Sequence, residues 1–114
     1  MCGRLNIESS QLIKLLREIL LETYAGTDNP NAAPTETMTV LRAGAGGQIE
    51  SVPMRWWLTP SWSQGPSTQY SMFNAKAETA ATSPAFKAPF ARRRCVLPVS
   101  GFYEWQRRAG RKQP

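Results

Sequence analysis

Cys2 is the residue whose position most suggests chemistry, because loss of Met1 would give it two nucleophiles at once. The free α-amine titrates near ~8 against ~10.4 for a lysine, so far more of it is unprotonated at neutral pH. Such an amine condenses with an aldehyde to an imine, and the thiol on the next carbon closes that imine into a thiazolidine. Amine attack on carbonyls through Schiff bases is an established catalytic class. Arg4 stands close enough in sequence to hold a phosphate or to lower the thiol pKa. The ordinary alternative for Cys2 is a small buried hydrophobe.

Other residue types narrow the chemistry. The chain contains no histidine, which excludes His-based triads, His-ligated metals and imidazole acid–base work within these residues. Two cysteines, Cys2 and Cys95, are too few for a disulfide scaffold and suggest a reducing compartment. Without histidine they also make a poor metal site, so neither metal nor cofactor is expected. Glu104 is a lone acid among apolar neighbours. Burial there would raise its pKa towards values useful in acid–base work, whereas a strand-end glutamate facing water would do nothing of the kind.

The charge is uneven. Of the net +6, residues 1–50 carry 4 basic and 6 acidic side chains, and residues 51–114 carry 10 basic and 2 acidic ones. The second part also holds all four tryptophans, Trp56, Trp57, Trp62 and Trp105. Cations interleaved with aromatics fit the phosphates and unpaired bases of a nucleic acid. Tryptophans filling a core beneath solubilising charges are the plainer alternative.

These residues need a scaffold, and 114 residues fit one domain with one core. With 41% apolar and 19% charged residues, the composition is that of a folded chain and not a disordered one, and no apolar run approaches the ~20 residues that cross a bilayer. No secretory signal opens the chain. Residues 1–7 read as a strand entering the core. Ser9 and Ser10 are candidate caps for a helix to about Tyr24, with Leu12, Leu15, Leu16, Ile19 and Leu20 on its apolar face. Residues 26–34 read as a turn-rich connection. Residues 38–42 and 48–52 form a predicted hairpin, 55–58 and 70–73 further strands, and 78–90 short helical turns interrupted by Pro84 and Pro89. Residues 95–99 and 102–107 are expected to pair with each other. The basic turn at 107–112 lacks room for a returning strand, so the chain reads as the N-terminal part of something longer.

Six segments recur in a telling order. They are Met1-Cys2-Gly3-Arg4, Asn31-Ala32-Ala33-Pro34-Thr35, Arg55-Trp56-Trp57-Leu58-Thr59-Pro60-Ser61-Trp62, Asn74-Ala75-Lys76-Ala77-Glu78-Thr79, Arg93-Arg94-Cys95-Val96-Leu97-Pro98 and Gly101-Phe102-Tyr103-Glu104-Trp105. In this arrangement the chain resembles the SOS response-associated peptidase (SRAP) family over residues 1–114, about the first half of the family domain. The resemblance implies an α+β, mainly β fold: a twisted, barrel-like antiparallel sheet with one substantial helix near the N-terminus, incomplete at the C-terminal end.

The resemblance also implies a function: a DNA-damage response protein that binds single-stranded DNA and crosslinks Cys2 to abasic sites through a thiazolidine. Autoproteolytic removal of Met1 or a leader would expose the cysteine. By motif, Cys2 matches the nucleophile, Asn74 the asparagine that orients the sugar or amine, and Glu104 the catalytic glutamate. Arg4 and Lys76 match phosphate-gripping positions, Lys76 replacing a common arginine and so losing its bidentate fork. Pro34, Trp56 and Trp57 match segments that line or support the DNA channel, and Glu78 would orient Lys76 or Arg4. One tryptophan is expected to stack on a base while the others pack. Two departures stand out: Trp57 replaces a usual glycine, and the family's catalytic histidine belongs to a later segment, so impaired crosslinking is expected of these residues alone. The implied location is cytoplasmic and nucleoid-associated. A non-covalent single-strand-binding module with degenerate machinery is the alternative. A thiol peptidase acting on other proteins is disfavoured for want of a histidine.

Overall fold

Alternation along residues 4–7 sets the first layer. In β1 (Arg4–Ile7) Leu5 and Ile7 are buried while Arg4 and Asn6 lie on the other face, the period-two pattern of a half-buried strand. The structure is a computed structural model that describes residues 2–20, 24–108 and 110–113. Strand β1 is the middle strand of a three-stranded antiparallel sheet, flanked by β2 (Asn29–Ala32) and β6 (Gly101–Tyr103). A second three-stranded sheet has β3 (Thr37–Ala43) at its centre, between β4 (Ile49–Arg55) and β5 (Cys95–Val96). A basic hairpin, β7 (Gln106–Arg108) with β8 (Arg111–Gln113), stands apart from both.

Helix α1 (Ser9–Leu20) begins where Asp28 reaches across to it. The Asp28 carboxylate accepts the Ser9 backbone N–H at 2.7 Å and the Ser9 hydroxyl at 2.6 Å, satisfying donors that a helix start leaves orphaned. Leu12 is buried, and Ile13 and Leu16 pack against the core. Leu15, expected on the apolar face, is exposed. The expected continuation through residues 21–23, and the Ile19 and Leu20 side chains, lie outside the described residues. Two short helices follow later, α2 (Ala77–Ala80) and α3 (Lys87–Arg92), where helical turns broken by prolines were expected.

The core joins both sheets. Leu5, Ile7 and Ala32 from the first meet Met38 and Leu41 from the second, with Leu12 and Tyr24 between. The α+β, mainly β expectation therefore holds, and among the described residues the sheets do not close into a barrel.

Several expectations need correcting. The segment read as turns at 26–34 contains β2, whose Pro30 lacks an N–H and sits where it does least harm, on an edge strand. The predicted β3–β4 hairpin is present and longer, with Thr37 opposite Arg55. Residues 56–58 and 70–73 form no strand. The largest difference concerns residues 95–107. Cys95 and Val96 pair with Arg42 and Leu41, whereas Gly101, Phe102 and Tyr103 pair with Asn6, Leu5 and Arg4. Pro98 cannot donate to a ladder, and Ser100 donates its N–H to the Asn6 carbonyl of β1 while its hydroxyl oxygen accepts the Glu8 N–H just past that strand. The chain crosses between sheets there instead of turning back on itself. The returning strand thought missing after the basic turn is β8, reached through Gly110 at φ 76°.

Candidate functional site

The end of β1 carries the candidate nucleophile. Cys2, half-buried against the core, lies two residues ahead of the strand, and its thiol donates to the Arg4 carbonyl at 3.4 Å. The Asn74 side-chain amide donates to the Cys2 carbonyl at 2.8 Å, across 72 positions of sequence. Two residues predicted from separate motifs thus meet. Asn74 engages the backbone of Cys2, not its thiol.

Phe73, the residue before Asn74, is held by an aromatic clasp. The Trp56 indole N–H donates to the Phe73 carbonyl at 3.1 Å, and the Trp56 ring meets the Phe73 ring edge-on, with centroids 6.3 Å apart. Trp57 lies against Phe73 at 5.2 Å with a 35° tilt. Trp56 is placed in turn by the turn that carries Pro34. Its backbone N–H donates to the Glu36 carbonyl at 2.8 Å, and its carbonyl accepts the Thr35 N–H at 3.1 Å. Thr35 has φ 81°, a left-handed backbone costly for a β-branched residue, so this turn is over-determined by its contacts. Trp56 and Trp57 are thus packed on the residue that precedes Asn74, and Pro34 belongs to the turn bonded to Trp56.

Arg4 faces the other way from Leu5. Its guanidinium donates to the Asn31 side-chain oxygen at 2.7 Å, and opposite it Tyr103 donates its hydroxyl to the Pro30 carbonyl at 2.9 Å. Arg4, Pro30, Asn31, Tyr103 and Trp105 line a groove of about 370 Å³. The planar guanidinium keeps further donors for an anion in that groove.

The remaining expected residues are placed differently. Glu104 follows the end of β6 and is exposed, so the buried acid foreseen for it is replaced by the solvent-facing alternative. Lys76 immediately precedes α2 and Glu78 lies in its first turn, both exposed. Among the described residues Glu78 forms no ion pair with Lys76 or Arg4, and the ion pair present is Arg42–Glu50 at 3.2 Å. Among them, too, no cluster of three potential metal-binding side chains exists, and no helix is long and apolar enough to cross a membrane.

The motifs single out neither Trp62 nor Tyr70 as a site residue. They are 64% and 65% exposed and line one groove of about 400 Å³ with Ser63, Ser67 and Gln69. Trp56 and Trp57 are engaged by Phe73, so Trp62 is the tryptophan of that segment free to receive a planar ligand. Its signal in the sequence was the surrounding serine, proline and glycine, a composition that builds no core. Asn31, which orients Arg4, was visible only as part of its motif.

The sequence profile described as SOS response associated peptidase (SRAP) matches residues 1–114. The chain is 31% identical over 112 residues to the abasic site processing protein YoqW of Bacillus subtilis (strain 168), which covers 94% of this chain and 49% of that protein. It is 30% identical over 112 residues to the abasic site processing protein YobE of the same organism, again 94% of this chain and 50% of that protein. A shorter similarity, 45% over 65 residues, links it to the abasic site processing protein HMCES of Rattus norvegicus, over 54% of this chain and 18% of that protein. The chain spans about half the length of the Bacillus relatives it matches.

Proposed function

The chain belongs to the SOS response associated peptidase (SRAP) family, and from that premise we propose that it processes abasic sites in single-stranded DNA by covalent capture on Cys2. The hydrogen bond from Asn74 to the Cys2 carbonyl carries this reading, because it brings together residues of two separate motifs just ahead of Arg4, whose side chain lines a groove. After loss of Met1, the α-nitrogen adds to the aldehyde of a ring-opened abasic sugar, and water leaves to give an imine. The Cys2 sulfur then bonds to the imine carbon, and the proton from sulfur passes to nitrogen, closing a thiazolidine. Trimming of Met1 or a leader is the family's autopeptidase step and the condition for this chemistry. Arg4 and Lys76 hold flanking phosphates, and Asn74 orients the sugar or the amine. Trp62 and Tyr70 offer faces on which unpaired bases stack. A cytoplasmic, nucleoid-associated location follows from such a substrate.

The test uses the protein carrying these residues, with Met1 removed, and an abasic single-stranded oligonucleotide resolved on a denaturing gel. A shifted band is expected, absent in Cys2→Ala and slower to form in Asn74→Ala. Equal retention of intact and abasic strands without a Cys2-dependent band would overturn covalent capture and assign non-covalent binding.

A further inference from the structure

Away from Cys2, the segment leaving α3 gathers cations into a single groove. Arg92, Arg93 and Arg94 are all exposed, and together with Arg42 they line a cleft of about 350 Å³ whose wall includes Leu58 and Thr59. Arg42 is partly neutralised by Glu50, whereas no carboxylate pairs with Arg92, Arg93 or Arg94 among the described residues. Three adjacent guanidinium groups repel one another unless a counter-charge is shared between them.

One stretch of chain walls both the cleft and the aromatic groove. Leu58 and Thr59 line the first, and Pro60 and Trp62, the next residues of the same segment, line the second. The Leu58 N–H also donates to the carbonyl of Met72, which lines the aromatic groove. Flat apolar faces followed directly by clustered guanidinium forks alternate as bases and phosphates do, a pattern that an acidic polypeptide lacks.

We infer that the Arg92–Arg94 cleft is a second phosphate-backbone site, which holds the continuation of a nucleic-acid strand whose base stacks at Trp62. The inference rests on the DNA reading above and extends it to residues that reading does not use. It makes the binding footprint longer than the neighbourhood of Cys2.

The experiment measures anisotropy of a fluorescein-labelled, undamaged oligo(dT) across a salt series, with the protein carrying these residues. The triple variant Arg92→Gln, Arg93→Gln, Arg94→Gln is expected to bind more weakly, with the slope of log K against log salt shallower by about 2, since each phosphate contact on a single strand contributes about 0.7. The triple lysine variant should keep most of the slope, and Lys14→Gln on α1 should leave it unchanged. A wild-type slope in the glutamine variant would overturn the inference, as would polyglutamate competing as well as unlabelled oligo(dT). Failure of covalent capture shows itself separately, as a missing Cys2-dependent band while the slope change persists.

Discussion

Whether an aromatic residue packs or binds is decided one side chain at a time. Trp56 spends its indole N–H on the Phe73 carbonyl and its ring on Phe73 and the core, whereas Trp62 leaves most of its side chain exposed. Trp62→Ala is therefore expected to weaken binding of an undamaged single strand by about 1–3 kcal/mol, roughly five- to a hundredfold in Kd, without lowering the melting temperature. Trp56→Ala should do the reverse, destabilising the fold and loosening Asn74. Anisotropy titration and thermal melts on the two variants separate the roles. At this scale the sequence was most informative where separate motifs name residues that meet in the fold, as with Cys2 and Asn74. It was least informative where exposure decides, as with Glu104, whose apolar neighbours suggested a burial that the end of β6 does not provide.

Elements held by local patterns were read well, and those held by distant pairing were not. The β3–β4 hairpin announces itself through alternation and a glycine turn, with Gly47 at φ 81°. Strands β5 and β6 are two and three residues long, and their partners lie at least 53 and 95 positions away, so no local signal could assign them. Helix α1 shows how a remote residue shapes an element and gives it a pH dependence. Hydrogen bonds from the Ser9 hydroxyl, and then from the Ser9 backbone N–H, hold the Asp28 carboxyl below its ordinary range. A depressed carboxylate contributes stability above its unfolded pKa and loses it as pH falls through the lowered value in the fold. The wild-type melting temperature should therefore drop on acidification below about pH 4, and Asp28→Asn should flatten that part of the profile while melting lower at neutral pH. An unchanged acid limb in Asp28→Asn would remove Asp28 from the account.

For the whole molecule, the radius of gyration of 15.7 Å exceeds the roughly 13 Å expected of a compact chain this long. Its extents of 48 × 36 × 26 Å describe an elongated body with a modest core. That core is nevertheless shared by both sheets and α1, so Leu12→Ala should destabilise all of them together, by about 2–5 kcal/mol, in one denaturant transition seen alike by far- and near-ultraviolet circular dichroism. Two separate transitions would show that the sheets are independent. The charge asymmetry evident in the sequence becomes, at this scale, the contrast between the acid-capped start of α1 and the cationic cleft after α3. The position of β1 between β2 and β6 has a mechanical consequence. A load applied at Cys2 along the strand axis, such as a machine translocating on an attached strand would exert, meets two hydrogen-bonded ladders in shear and must break both before the anchor slips.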